Sequence, residues 1–194
     1  MNEHLKPVFE IILPRLEEAK IDYWVFGGVS IAAYAGDFIR KNKDVDIFVK
    51  EVDFQKAQSV LYSTLCNLYK QMNIKLIYYF PALKNNRPKL EIEIDKNEMF
   101  SMIPIYPKNN LVVFRYEDGD QEYSNQILER IERNISGYRF FTSRNEFIKD
   151  MFIKHIIVRP DKKDRPNIKK DGEAIFTPEE YKKYMPEKQK TIYR

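Results

Sequence analysis

The chain has 194 residues, 43% hydrophobic and 32% charged, with a formal net charge of +4 and a mean hydropathy of −0.56. This is enough for one globular core; no run approaches the ~18 apolar residues of a membrane span, and Met1-Asn2-Glu3-His4 lacks the layout of a signal peptide. Cys66 is the single cysteine, and His4 and His155 are the only histidines, so a disulfide framework and a zinc site are excluded, a cytoplasmic setting is expected, and any metal is left to oxygen ligands.

Leu5, Val8, Phe9, Ile12, Leu13 and Leu16 recur at helical spacing and predict an amphipathic helix over about 3–19, with Pro14 a kink or break. Tyr23-Trp24-Val25-Phe26 reads as a buried strand within 22–26, its aromatics assigned to core rather than to base stacking. Gly27-Gly28 turns the chain into a short helix through about Ala35, which Gly36 ends. A second strand is expected at 44–49. Asp53 is expected to cap a helix over 54–72, with Ala57, Val60, Leu61, Leu65 and Leu68 on its apolar stripe and Cys66 as packing. A third strand covers 74–80, where Tyr78, Tyr79 and Phe80 serve as strand core or, alternatively, stack a nucleobase.

After a polar loop at 84–88, Leu90, Ile92 and Ile94 alternate with Glu91, Glu93 and Asp95, predicting a strand with the acids outward. Segments 99–105 and 111–116 form a hairpin across Pro107-Lys108-Asn109-Asn110, and Asp118-Gly119-Asp120 is a turn. The pattern over 121–135 suits helix and strand equally. Ser136-Gly137 leads into a strand at 138–141. Ser143 and Glu146 have capping-box spacing before a helix that buries Phe147, Met151, Phe152, His155 and Ile156. Thr177-Pro178-Glu179-Glu180 opens a last short helix. Strands and helices mix without strict alternation, which predicts an α+β fold with a mixed sheet flanked by helices. We expect a core over 1–142 and a helical, basic segment over 143–194 packed on it.

Residues 139–194 carry 15 Lys+Arg against nine Asp+Glu. Such a tail fits an acidic substrate such as a nucleotide or RNA, and equally a solvated lysine-rich face. The chemistry concentrates earlier. Asp44 and Asp46 stand two apart, so on a strand they share a face about 7 Å apart, where like charges repel unless a cation lies between them. A glycine pair after a strand lets a phosphate approach backbone N–H groups and a helix N-terminus. Phosphate seat plus paired carboxylates equips a chain for phosphoryl or nucleotidyl transfer. The outward acids of 90–95 offer a third carboxylate from a separate strand, as a two-metal arrangement requires.

Gly27-Gly28, fifteen intervening residues, then Asp44-Val45-Asp46 with an apolar follow-on resembles the nucleotidyltransferase superfamily of DNA polymerase β. Over about 22–50 the chain is most similar to the minimal aminoglycoside 2''- and lincosamide nucleotidyltransferases, with Gly36 and Ile39-Arg40-Lys41-Asn42-Lys43 in register. Lys154, Arg159, Lys163-Asp164 and Asp171 form a weaker echo in the tail. The resemblance implies that Gly27 and Gly28, joined by Ser30, hold the triphosphate, that Asp44 and Asp46 bind Mg2+ or Mn2+, and that Arg40 and Lys43 contact phosphate. It implies a third acid flanked by apolar residues, Glu93, with Asp95 as runner-up, which helps deprotonate the acceptor. Two departures stand out: Gly28 replaces the serine of the Gly-Ser form, and Ala32 stands where the antibiotic enzymes often carry an acid.

The expected function is metal-dependent transfer of NMP from an NTP to an acceptor hydroxyl on a small molecule, a protein or RNA. The alternative is a non-catalytic nucleotide- or RNA-binding module, or an antitoxin-like pseudoenzyme. An Asp-x-Asp glycosyltransferase would leave Gly27-Gly28 without a purpose.

Overall fold

The computed structural model describes residues 2–69, 74–79, 88–94, 97–116 and 119–185. The chain enters through a 3-10 turn, Glu3–Leu5, and a π-helical turn, Val8–Ile12, before helix α1, Leu13–Glu18. The expectation was an amphipathic helix over about 3–19 with a kink or break at Pro14; the structure has a π-helical turn just before it instead. Proline has no N–H to return to residue 10, and the backbone widens so that Leu13 N–H bonds the Val8 carbonyl five residues back. The apolar stripe survives this change of pitch, since Leu5, Val8, Phe9, Ile12, Leu13 and Leu16 are all buried.

Strand β1 (Tyr23–Phe26) runs directly into α2 (Gly27–Ala35), and β2 (Val45–Lys50) runs directly into α3 (Glu51–Tyr69). Asp53 therefore lies in the first turn of α3 and not at its cap, where Glu51 and Asp53 together face the positive end of the helix dipole. Gly36, at φ +89°, ends α2 as expected.

The strands β3 (Ile74–Tyr79), β4 (Lys89–Ile94), β5 (Asn97–Lys108), β6 (Leu111–Tyr116) and β7 (Gly119–Ser124) follow. The ambiguous region resolves into the end of β7, a 3-10 turn at Asn125–Leu128, and β8 (Ile131–Ile135), which pairs with β9 (Tyr138–Thr142). Ser136 and Gly137, both at positive φ, make the tight β8–β9 turn. Helices α4 (Asn145–Val158), α5 (Pro166–Ile175) and α6 (Pro178–Tyr184) complete the described chain. Ser143 does not cap α4. It is buried, and its hydroxyl donates to the Ile127 carbonyl at 2.8 Å. The capping box of Thr177 and Glu180 does form on α6. Met72, Phe80, Asp95, Asp118 and positions 84–87 lie outside the described residues.

The sheet order is β3-β4-β5-β2-β1-β9-β8, with β6 on β5 and β7 on β6. Pairs β1–β9 and β2–β5 are parallel and the others antiparallel, so the sheet is mixed and the fold is α+β. Side-chain alternation sends Val25 and Ile47 into the larger core, with the first helix and α3, and sends Trp24 and Phe48 into a second cluster with Ile105, Phe114 and Ile127. A third cluster joins Ile31 of α2 to Ile148, Phe152, Ile175 and Met185, so the C-terminal helices cover the outer side of α2. No helix among the described residues is long and apolar enough to cross a membrane.

Candidate functional site

Phe26 is extended, and Gly27 at φ +67° reverses the chain so that α2 begins with no intervening loop. That left-handed conformation strains any residue with a Cβ. Space forbids one as well: a Cβ at Gly27 would lie 2.8 Å from Asp46 Oδ2. At Gly28 the obstacle is different. A Cβ there would run into the Arg40 guanidinium, with Cζ at 3.1 Å, and into the Asn42 side-chain oxygen. The two glycines thus let one turn fit between an acid and a base, with the first N–H groups of α2 lacking intrahelical partners. Ser30 is buried, and its hydroxyl donates to the Gly27 carbonyl at 2.8 Å, so it braces the turn from within.

Asp46 is held by strand pairing. It stands opposite Phe26 on β1 and opposite Ser101 on β5, and Ser101 stands opposite Glu91 on β4. Directly opposed residues project on the same face, so Asp46, Ser101 and Glu91 form one row across three strands. The Ser101 hydroxyl donates to Asp46 Oδ1. Glu91 is ion-paired with Lys89. Asp44, half-buried, immediately precedes β2.

The register between β4 and β5 shifts between Ile92 and Glu93, and Glu93 then stands opposite Glu98. Glu93 is therefore outside the Asp46 row. Among the described residues, no three of His, Cys, Asp and Glu gather into a group that could hold a metal ion. Strand alternation alone selects both Glu91 and Glu93 as outward. Only the pairing distinguishes them, and it also brings in Ser101, which the sequence reading did not single out.

Arg40 lies beside the glycine turn, and Nη2, the atom that borders Gly28, is also held by Asp171. Its Nε and Nη2 donate to the two oxygens of Asp171, each at 2.7 Å, and Nη1 donates to the Lys41 carbonyl at 3.2 Å. The pair is buried, with side-chain exposures of 13% for Arg40 and 2% for Asp171. Burial pushes the Asp171 carboxyl above the usual range, against the downward pull of the guanidinium. Arg40 was expected to contact phosphate; in this structure its partner is a carboxylate, and its Nη2 edge borders Gly28. Asn42, 2% exposed, takes Asn2 Oδ1 on its backbone N–H, and its own Oδ1 has no hydrogen-bond partner among the described residues. Lys43 is exposed on the same loop. A cavity of about 370 Å3, lined by Phe9, Glu17, Tyr138 and Arg139 among others, shares no residue with this site.

Residues 8–76 match the family model described as aminoglycoside-2''-adenylyltransferase. A search of curated protein sequences gives no match. Among solved structures, the lincosamide antibiotic adenylyltransferase LnuA with lincomycin bound is similar at 18% identity, over 88% of this chain and 97% of that one, with a TM-score of 0.55. ANT(2'')-Ia in complex with adenylyl-2''-tobramycin is similar at 12% identity, over 90% and 91%, with a TM-score of 0.56. A candidate nucleotidyltransferase from Thermotoga maritima is similar at 17% identity, over 84% and 91%, with a TM-score of 0.54. The chain shares the mixed-sheet α+β fold of these solved nucleotidyltransferases. Over residues 8–76 its sequence is similar to the aminoglycoside-2''-adenylyltransferase family, and its fold is similar to solved aminoglycoside 2''- and lincosamide adenylyltransferases.

Proposed function

We propose that this chain transfers a nucleoside monophosphate from an NTP, ATP first among candidates, to an acceptor hydroxyl. The observation that carries the reading is the closeness of the Asp46 carboxylate to Gly27, where an added Cβ would lie 2.8 Å from Asp46 Oδ2, so that a carboxylate oxygen borders the glycine turn. Asp44 and Asp46 are the residues that would hold Mg2+ or Mn2+, since an all-oxygen donor set suits a hard cation. When bound, such a cation neutralises charge developing on the triphosphate and on the attacking oxygen.

The protein's own groups supply the remainder. Gly27 and Gly28 expose backbone N–H groups, Ser30 stiffens the turn beneath them, and Arg40 and Lys43 provide positive charge beside it. Glu93 remains our candidate for taking the proton of the acceptor hydroxyl. Glu91, in the Asp46 row, is its competitor, and Glu93→Gln against Glu91→Gln separates the two. Aminoglycosides and lincosamides are the first acceptors to try, given the structures the chain is similar to.

A second reading, nucleotide binding without transfer, is favoured by one observation: the residue facing Asp46 on β5 is a serine and not a third acid. RNA binding through the C-terminal segment has less support, because several of its described cations are paired, as in Lys149–Glu180, Lys154–Asp150 and Arg144–Glu129.

The experiment is incubation with Mg2+, α-labelled NTPs and a panel of hydroxyl acceptors, measuring pyrophosphate release and transfer of label. We expect metal-dependent release that Asp46→Asn abolishes. Tight NTP binding with no release under any acceptor would overturn catalysis and leave the binding module.

A further inference from the structure

Ser101 is 1% exposed and faces Asp46 across the parallel β2–β5 pair. Its hydroxyl donates to Asp46 Oδ1, while Oδ2 of the same carboxylate lies on the side of Gly27, 2.8 Å from where a Cβ on that glycine would stand. A terminal carboxylate otherwise rotates over a broad torsional range. Here the hydroxyl bond to one oxygen restricts that rotation, and the other oxygen is on the side of the glycine turn. We propose that Ser101 is a positioning residue: by engaging Oδ1 it turns Oδ2 toward the glycine turn, so that a cation bound there also reaches the phosphates of a nucleotide seated on α2. This rests on the nucleotidyltransferase reading for the identity of the ligands.

The choice of residue type follows from charge. Asp44 and Asp46 already repel, and a third carboxylate at position 101 would add to that repulsion in the metal-free protein. A hydroxyl donates to the acid without adding charge, and a hydrogen bond to an ionised acceptor is stronger than a neutral one. Glu91 lies one strand beyond Ser101 in the same row, so an acid at position 101 would face a carboxylate on each side.

The test uses the full chain and follows Mn2+ binding by the loss of its free-ion paramagnetic resonance signal, with and without a non-hydrolysable ATP analogue. Thermal unfolding is recorded for each variant. Ser101→Ala should fold and bind Mn2+ about tenfold more weakly in the presence of nucleotide, while Ser101→Thr, which keeps the hydroxyl, should recover most of the loss. If Ser101→Ala fails to fold, Ser101→Cys fills similar volume with a weak donor, and the same weakening is expected of it. Wild-type Mn2+ affinity in the alanine or cysteine variant overturns the proposal, as does a threonine variant no better than alanine or a wild-type chain that binds no Mn2+. Weakened Mn2+ binding in a chain that transfers no nucleotide would end the catalytic reading and leave this one standing.

Discussion

Gly27 and Gly28 are adjacent, yet glycine is required at each for a different reason. At Gly27 the left-handed backbone excludes other residues, and at Gly28 the neighbouring Arg40 and Asn42 side chains do. The second case makes a testable statement about coupling. Gly28→Ala introduces a methyl into a filled space, which should cost about 1–3 kcal/mol. Residues that share a contact do not behave additively, so in an Arg40→Ala background the same change should cost less, the remainder being the contact with Asn42. Urea unfolding of the two single variants and the double variant measures the difference. Additive losses would show that Arg40 is not what excludes a side chain at 28, and would leave Asn42 as the obstacle.

At the scale of elements, α6 is joined to α4 by one charged contact superimposed on a cap. Thr177 accepts from the Glu180 backbone N–H, the Glu180 carboxylate accepts from the Thr177 N–H, and Lys149 of α4 donates to both Glu180 oxygens at 2.6 Å. The Lys149 hydrogen bond, then the Thr177 backbone N–H, holds the Glu180 carboxyl below its usual range. A carboxyl lowered in the folded state contributes stability that is present above its unfolded value and is lost as pH falls through its folded value. The melting temperatures of wild type and Glu180→Gln should therefore differ at neutral pH and converge as pH falls through the folded value of Glu180. Parallel curves over that range would mean that the pair contributes nothing through ionisation. The group is exposed, so the gap should also shrink with added salt.

The molecule as a whole is closed by a contact between residues 131 positions apart. Arg40, on the loop before β2, and Asp171, in α5, pair through two 2.7 Å hydrogen bonds and are almost fully withdrawn from water. Beside them Ile31 of α2 packs with Phe152, Ile175 and Phe176. The glycine turn and the C-terminal helices are thus tied by one ionic and one apolar contact. Removing one member of a buried pair leaves an uncompensated charge, so Asp171→Ala should destabilise the chain by about 3–5 kcal/mol. Replacing both members with apolar residues, Arg40→Met with Asp171→Leu, should restore much of that loss while leaving NTP binding impaired. Chemical unfolding and nucleotide titration of these variants give both numbers. A double variant with wild-type NTP affinity would remove Arg40 from the phosphate seat.

What the sequence determined by itself is local. Two glycines after a run of apolar residues, acids two apart before another such run, the alternation of Leu90, Glu91, Ile92 and Glu93, and the Thr177 cap each depend on neighbours within a few positions, and each was readable because backbone geometry repeats over that range. The α+β class follows from the same signals. The chain's pitch before Pro14 was not readable, since the loss of one N–H can be met by a kink or by a wider turn, and packing of Leu5 through Leu16 chose the latter. Ser143 has the chemistry of a cap, but the Ile127 carbonyl, sixteen residues away, claimed its hydroxyl first. The partners that matter most to the site are of this second kind. Which outward acid of β4 joins the Asp46 row, what faces Asp46 on β5 and what holds Arg40 all depend on strand register and helix docking. Those are fixed by contacts far apart in the chain, which no local pattern of residue types encodes.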